Sequence, residues 1–128
     1  MKVIQELVAY FDRRGKLGRA EIRKLLERGH LASDAPQNML LLAEPAGSNY
    51  YFRLTGHNEG PLWGTDVYTG DSSLAMAAVH TGLVKPGESA VVRVTSVAPP
   101  ADFKGSSRHG VQSHDFGRYG SAYTLALV

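Results

Sequence analysis

The sequence predicts an α+β domain in which a central helix is enclosed by β-sheet, preceded by an α-hairpin. Three observations carry that prediction. Leu74-Ala75-Met76-Ala77-Ala78-Val79-His80-Thr81 is apolar nearly all the way round, and in a globular chain so short a helix has to be surrounded by other elements. Ala90–Val97 and Ala122–Leu127 are rich in strand formers. Residues 1–28 instead place their apolar side chains at helical spacing.

The elements follow in order. Val3, Ile4, Leu7, Val8 and Phe11 fall on one face of a first helix, and Arg14-Gly15-Lys16-Leu17-Gly18 breaks the pattern. A second helix fits Arg19–Arg28, with Ile22, Leu25 and Leu26 on its apolar side and Gly29 to end it. Residues 1–32 thus read as a helical hairpin, too short to stand alone in water. Residues 33–49 read as a linker, with Ser33, Asp34 and Pro36, followed by an apolar run from Met39 to Ala43 that forms the first strand of a β-hairpin with Tyr50–Leu54. Residues 50–128 form the main domain. Leu62–Tyr68 is a strand with Gly64 at a bend, Asp71, Ser72 and Ser73 offer helix N-caps, and Gly82 closes the helix. Pro86-Gly87-Glu88 is a turn before the strand Ala90–Val97, and Pro99-Pro100 ends that strand.

Composition narrows the function classes. The 128 residues contain no cysteine, so a disulfide framework and a cysteine-held zinc are both excluded. The first residues lack the apolar core of a signal peptide, and no apolar run reaches the roughly 20 residues of a membrane span. A cytoplasmic protein is expected. The net charge of +2 is uneven, because residues 1–28 hold eight Lys or Arg and four acids. No Gly-rich phosphate loop is present, so no nucleotide cofactor is expected, nor any other.

Two blocks of the sequence stand out as motifs. The first is Trp63-Gly64-Thr65-Asp66-Val67-Tyr68-Thr69-Gly70-Asp71-Ser72-Ser73-Leu74, followed by Ala77-Ala78-Val79-His80-Thr81-Gly82. The second is Phe103-Lys104-Gly105-Ser106-Ser107-Arg108-His109-Gly110-Val111-Gln112-Ser113, with Phe116-Gly117 and Gly120-Ser121 after it. Together these blocks resemble the LCCL domain family, and the resemblance covers about residues 50–127. It implies a central helix clasped by two twisted β-sheets, no general catalytic activity, and a role in binding lipopolysaccharide or other glycans. The chain departs from the family pattern in having Ala75 where extracellular members carry a helix cysteine, and His109 where Asn usually precedes Gly. The first departure fits an intracellular version held by packing alone.

The candidate site residues each have a bland and a functional reading. His80 is either a ligand contact or a buried imidazole holding a carbonyl; the second is favoured, since one His without a paired carboxylate or nucleophile is not a site. Trp63, Gly64, Asp66, Tyr68, Asp71, Ser72, Ser73, His80, Gly82 and Gly110 are read as motif residues serving the fold. Lys104, Ser106, Arg108, His109, Ser113 and Tyr119 combine hydrogen-bond donors with an aromatic and are the candidate ligand contacts, for a glycan, lipid head group or protein. No metal is expected from His109 and His114, and Ser113-His114-Asp115 cannot form a triad because consecutive residues lack the geometry. No catalytic residue is assigned. Arg13, Arg14, Lys16, Arg19 and Arg23 are candidate docking or phosphate contacts. Another protein, or a second copy, is the expected partner of residues 1–32, with nucleic acid the alternative.

Overall fold

The computed structural model describes residues 33–42 and 46–128. The predicted α-hairpin lies outside the described residues. What is described is α+β: one short helix against a six-stranded sheet and a two-stranded one. The strands are β1 (Ser33–Asp34), β2 (Asn49–Thr55), β3 (Gly64–Thr65), β4 (Val67–Thr69), β5 (Ser89–Val97), β6 (Ser107–Arg108), β7 (Val111–Gln112) and β8 (Ala122–Leu127), and the helix α1 is Leu74–His80. The large sheet runs β1-β2-β5-β8-β4-β3, and β6 pairs with β7. All its pairings are antiparallel except β1 with β2.

Register decides which side chains meet the helix. Phe52 pairs with Val92 and Val92 with Leu127, while Tyr50 pairs with Val94 and Val94 with Leu125. Alternation along the strands puts those rows on one face. There Tyr50, Phe52, Leu54, Val92, Val94 and Tyr123 pack with Leu74, Ala77, Ala78 and Val79 of the helix. Ala77 and Ala78 are fully buried, and their small side chains let the sheet approach closely. On the other side α1 meets β7.

The helix ends follow their local chemistry. The Ser73 hydroxyl accepts from Met76 N–H as N-cap, and Leu74 N–H donates to the Gln37 carbonyl. Gly82 takes the left-handed conformation, φ +85, just past the C-cap Thr81.

Two strand expectations differ from what is found. The run Met39–Leu42 is not a strand: Asn38–Leu41 is turn and bend, with Met39 buried and tied through its N–H to the Gly70 carbonyl. The partners of β2 are β5 and β1 instead. The segment Leu62–Tyr68 is not one strand but two, because Asp66 at φ 66 reverses the chain between Thr65 and Val67.

Candidate functional site

The motif residues converge on the C-terminal end of α1. His80 is fully buried, with Nδ1 2.8 Å from the Tyr68 hydroxyl and Nε2 3.0 Å from the Ser106 carbonyl. A carbonyl can only accept, so Nε2 carries the proton and Nδ1 accepts from Tyr68. Burial pushes the Tyr68 phenol up to about 12, which keeps it a donor. Ser106 Oγ lies 3.3 Å from Nε2 but 2.6 Å from Thr65 Oγ1, and Thr65 Oγ1 donates to the Lys104 carbonyl at 2.8 Å. Ser106 therefore donates to Thr65. The order Tyr68, His80, Ser106 has the wrong polarity for a nucleophile relay, since Nε2 faces Ser106 as a donor. It fixes the 104–107 backbone to the helix.

The second motif block is stapled the same way. Ser113 is 1% exposed; its hydroxyl accepts from Ser106 N–H at 2.8 Å and lies 3.2 Å from the Ser106 carbonyl. His109 and Gly110, at φ 52 and 78, make the two-residue turn between β6 and β7. Both central residues of such a turn need positive φ, which explains the usual Asn-Gly. The His109 ring lies against Gly82, with Nδ1 3.0 Å from the last helical carbonyl, that of His80. Arg108 pairs with Asp66 at 2.6 Å, both largely in solvent, and such a pair contributes little. Lys104 pairs loosely with Asp102 at 3.3 Å. Of the six candidate ligand residues, Ser106 and Ser113 are thus engaged inside the fold, and Lys104, Arg108 and His109 are exposed.

Tyr119 belongs to a different feature. Its ring meets Phe116 edge-on, centroids 5.8 Å apart, and Phe116 meets Trp63 edge-on at 6.3 Å. Phe116 is 42% exposed, and Trp63 and Tyr119 are half-buried. The stripe stands on fixed backbone. Phe103 and Phe116 exchange both hydrogen bonds, at 2.7 and 2.9 Å, and His114 N–H donates to Leu62 while Gly64 N–H donates to His114. Trp63 N–H donates to Ser72 Oγ at 3.0 Å, and Thr69 and Tyr123 anchor Ser72 through its hydroxyl and carbonyl. Lost hydration and the Asp71 carboxylate beside it raise the Tyr119 phenol. Asp71 Oδ1 is buried with no hydrogen-bond partner among the described residues. Phe116 was not among the candidate contacts, although Phe116-Gly117 belongs to the second motif block; beyond that it is a large aromatic in a Gly/Ser-rich segment without periodicity.

A cleft of about 490 Å³ lies elsewhere, between residues 34–37, the end of β2 and the first turn of α1, lined in part by Asp34, Arg53, His57 and Glu59. Among the described residues no group of three or more His, Cys, Asp or Glu could hold a metal, and no helix is long and apolar enough to cross a membrane. The candidate contacts Arg13, Arg14, Lys16, Arg19 and Arg23 lie outside the described residues.

Comparison with known proteins agrees with the motif blocks. The family model for the LCCL domain matches residues 46–122. The human cysteine-rich secretory protein LCCL domain-containing 2 is 36% identical over 70 residues, covering 53% of this chain and 14% of that protein. Clotting factor C of Tachypleus tridentatus and Limulus clotting factor C of Carcinoscorpius rotundicauda are each 38% identical over 56 residues, covering 44% of this chain and 5% of theirs. The chain therefore spans only a small part of the length of these relatives. With the family match covering more than half of its residues, on the very segments that enclose α1, this chain belongs to the LCCL domain family.

Proposed function

We propose that this LCCL domain is a non-catalytic binding module that takes a glycan on the stripe Trp63, Phe116 and Tyr119. The observation that carries this reading is the exposure of Phe116 on hydrogen-bonded backbone, between two further rings. Exposed aromatics held rigidly offer area at little ordering cost, and the apolar face of a sugar ring stacks on such area while its hydroxyls need polar neighbours. Lys104, which follows Phe103 in the loop bonded to Phe116, and Asp71 beside Tyr119 supply those neighbours. Arg108 and His109 stand apart from the stripe, Arg108 on Asp66 and His109 at the end of α1. A lipid head group or a protein surface is the alternative occupant. The absence of cysteine, with Ala75 in α1, supports a cytoplasmic setting, unlike the relative whose name calls it secretory.

Trp63 is the only tryptophan in the chain, so its emission reads the stripe directly. Titration with lipopolysaccharide-derived oligosaccharide and with a neutral polysaccharide is expected to shift Trp63 emission, and Phe116→Ala is expected to abolish the shift while the fold persists. Emission that answers only to lipid vesicles would assign the head-group alternative, and no response to any of these would reject the stripe as the site.

The uneven charge of residues 1–28 favours a second reading, nucleic-acid binding through Arg13, Arg14, Lys16, Arg19 and Arg23. It predicts steeply salt-dependent binding that Arg13→Ala, Arg14→Ala and Arg19→Ala together remove.

A further inference from the structure

The cleft beside β2 lies where β1 leaves the sheet. β1 pairs with β2 through Ser33 and Asp34, Ala35 N–H donates to the Arg53 carbonyl at 2.9 Å, and the chain then turns to α1, where the Gln37 carbonyl accepts from Leu74 N–H. The lane beside Thr55 is thereby vacated. Ser96 exchanges backbone bonds with Gly47 and Ser48, so in the antiparallel ladder Phe52 bonds Val92 and Leu54 bonds Ala90, while Arg53 and Thr55 turn their backbone groups outward. The Arg53 carbonyl meets Ala35 there. Thr55 has no strand beside it among the described residues, and its N–H and C=O both face the cleft.

The side chains around this notch are of two kinds. Ala35, Pro36, Leu54 and Ala75 give the cleft of about 490 Å³ an apolar lining, and that volume is in the range of small-ligand sites. Leu54 and Ala75 belong to the α1 side of the sheet. Alternation puts Arg53 and Thr55 on the opposite side, where Thr55 Oγ1 lies 2.7 Å from Ser89 Oγ. Asp34, beside Arg53 in register, is already engaged, and Arg53 is exposed with no ion-pair partner among the described residues. His57 and Glu59 complete the rim.

We propose that the cleft takes an extended acidic peptide from a partner protein, laid in the lane that β1 vacates. One residue of the peptide exchanges both backbone hydrogen bonds with Thr55, as a strand added to a sheet edge does. Its side chain then stands on the Thr55 side of the sheet, within diagonal reach of Arg53. A carboxylate at that position receives the planar fork of the guanidinium, the strongest pairing open to an exposed arginine. The residues before and after it point the other way, toward Leu54 and Ala75, and suit small aliphatic side chains. Recognition therefore reads an acidic residue between two aliphatic ones. Trp63, Phe116 and Tyr119 do not line this cleft, so it is a second site, independent of the aromatic stripe.

Amide NMR of the full chain tests this with the blocked peptide acetyl-Ala-Val-Glu-Val-Ala-amide and its counterpart with Gln in place of Glu. In the free chain the Thr55 amide is expected to exchange rapidly with solvent, unlike that of Leu54. The Glu peptide should shift the Thr55 and Ala35 signals and slow Thr55 exchange about tenfold or more at saturation, and the Gln peptide should bind about tenfold more weakly. Arg53→Gln, at an exposed position, is expected to bring the two affinities together. Ala75→Leu fills the cleft from a half-buried helix position with another good helix former, and should abolish binding of both peptides while circular dichroism is unchanged. A Thr55 amide already protected in the free chain would overturn the proposal, as would unchanged Thr55 signals at millimolar peptide. Equal affinity of the two peptides for the parent chain would overturn the acidic class. Shifts confined to Trp63 and Phe116 would move the peptide to the stripe and overturn the site.

Discussion

The Tyr68 hydroxyl donates to Nδ1 of His80 at 2.8 Å in a fully buried pair, with the ring planes 81° apart. This joins β4 to the last residue of α1, and the Nε2 bond to Ser106 continues the tie into the second motif block. Removing the imidazole by His80→Leu orphans the buried Tyr68 hydroxyl and takes one donor from the Ser106 carbonyl, which keeps the Ser113 N–H at 2.8 Å, and is expected to destabilise by about 2–4 kcal/mol. Tyr68→Phe orphans only Nδ1 and should lose about 1–3 kcal/mol. Urea denaturation followed by far-ultraviolet circular dichroism measures both, and equal losses would contradict the assigned network.

Alkaline pH gives a second expectation. Burial raises the Tyr68 phenol to about 12 and the Tyr123 phenol well above its usual 10.0. Above pH 10 the unfolded chain releases these protons while the folded chain keeps them, so stability is fully present below about pH 10 and falls as pH rises through 12. Urea midpoints at pH 8, 10 and 11.5 check the sign. Tyr68→Phe should flatten the decline.

At the turn between β6 and β7 two preferences compete. His109 is at φ 52, where Asn is more at ease, but its ring covers Gly82 and reaches the His80 carbonyl at 3.0 Å. His109→Asn relieves the backbone and gives up the contact, and should change stability by less than about 1 kcal/mol. Gly82→Ala has no such compensation. Its backbone is at φ +85, and a Cβ there would stand 2.8 Å from His109 Cε1. A loss of more than about 1 kcal/mol is expected. Thermal melts of the two variants side by side decide the order.

For the aromatic stripe, the expected stability effect is small and the binding effect large. Phe116 is 42% exposed, so Phe116→Ala should lower stability by only about 1 kcal/mol. Ligand-dependent change in Trp63 emission should disappear with it. A variant that unfolds would show Phe116 to be a packing residue instead.

What could be read in the sequence was local. The Ser73 cap, the Gly82 end and the strands at 89–97 and 122–127 each depend on neighbours within a few residues, and the composition states them. Met39–Ala43 shows the limit: a short apolar run has no period that separates a strand from a loop holding one buried side chain. Met39 is buried through a bond to Gly70, far along the chain. The parallel pairing of Ser33 with Phe52 and the reversal at Asp66 were equally silent. The stripe escaped for the same reason, since Trp63 and Phe116 meet only through pairings of Leu62 and Gly64 with His114 and of Phe103 with Phe116.

The position of β8 has a consequence for synthesis. Ala122–Leu127 lies inside the large sheet, between β5 and β4, and is the link through which the β2–β5 half joins the β3–β4 half. A nascent chain on the ribosome holds every earlier strand before it holds the one that joins them. The sheet therefore closes only once Leu127 has cleared the exit tunnel, and until then β5 and β4 each present an unsatisfied edge. Any product ending short of Ala122 would keep both edges open and should be found with chaperones or in aggregates rather than as a smaller folded domain.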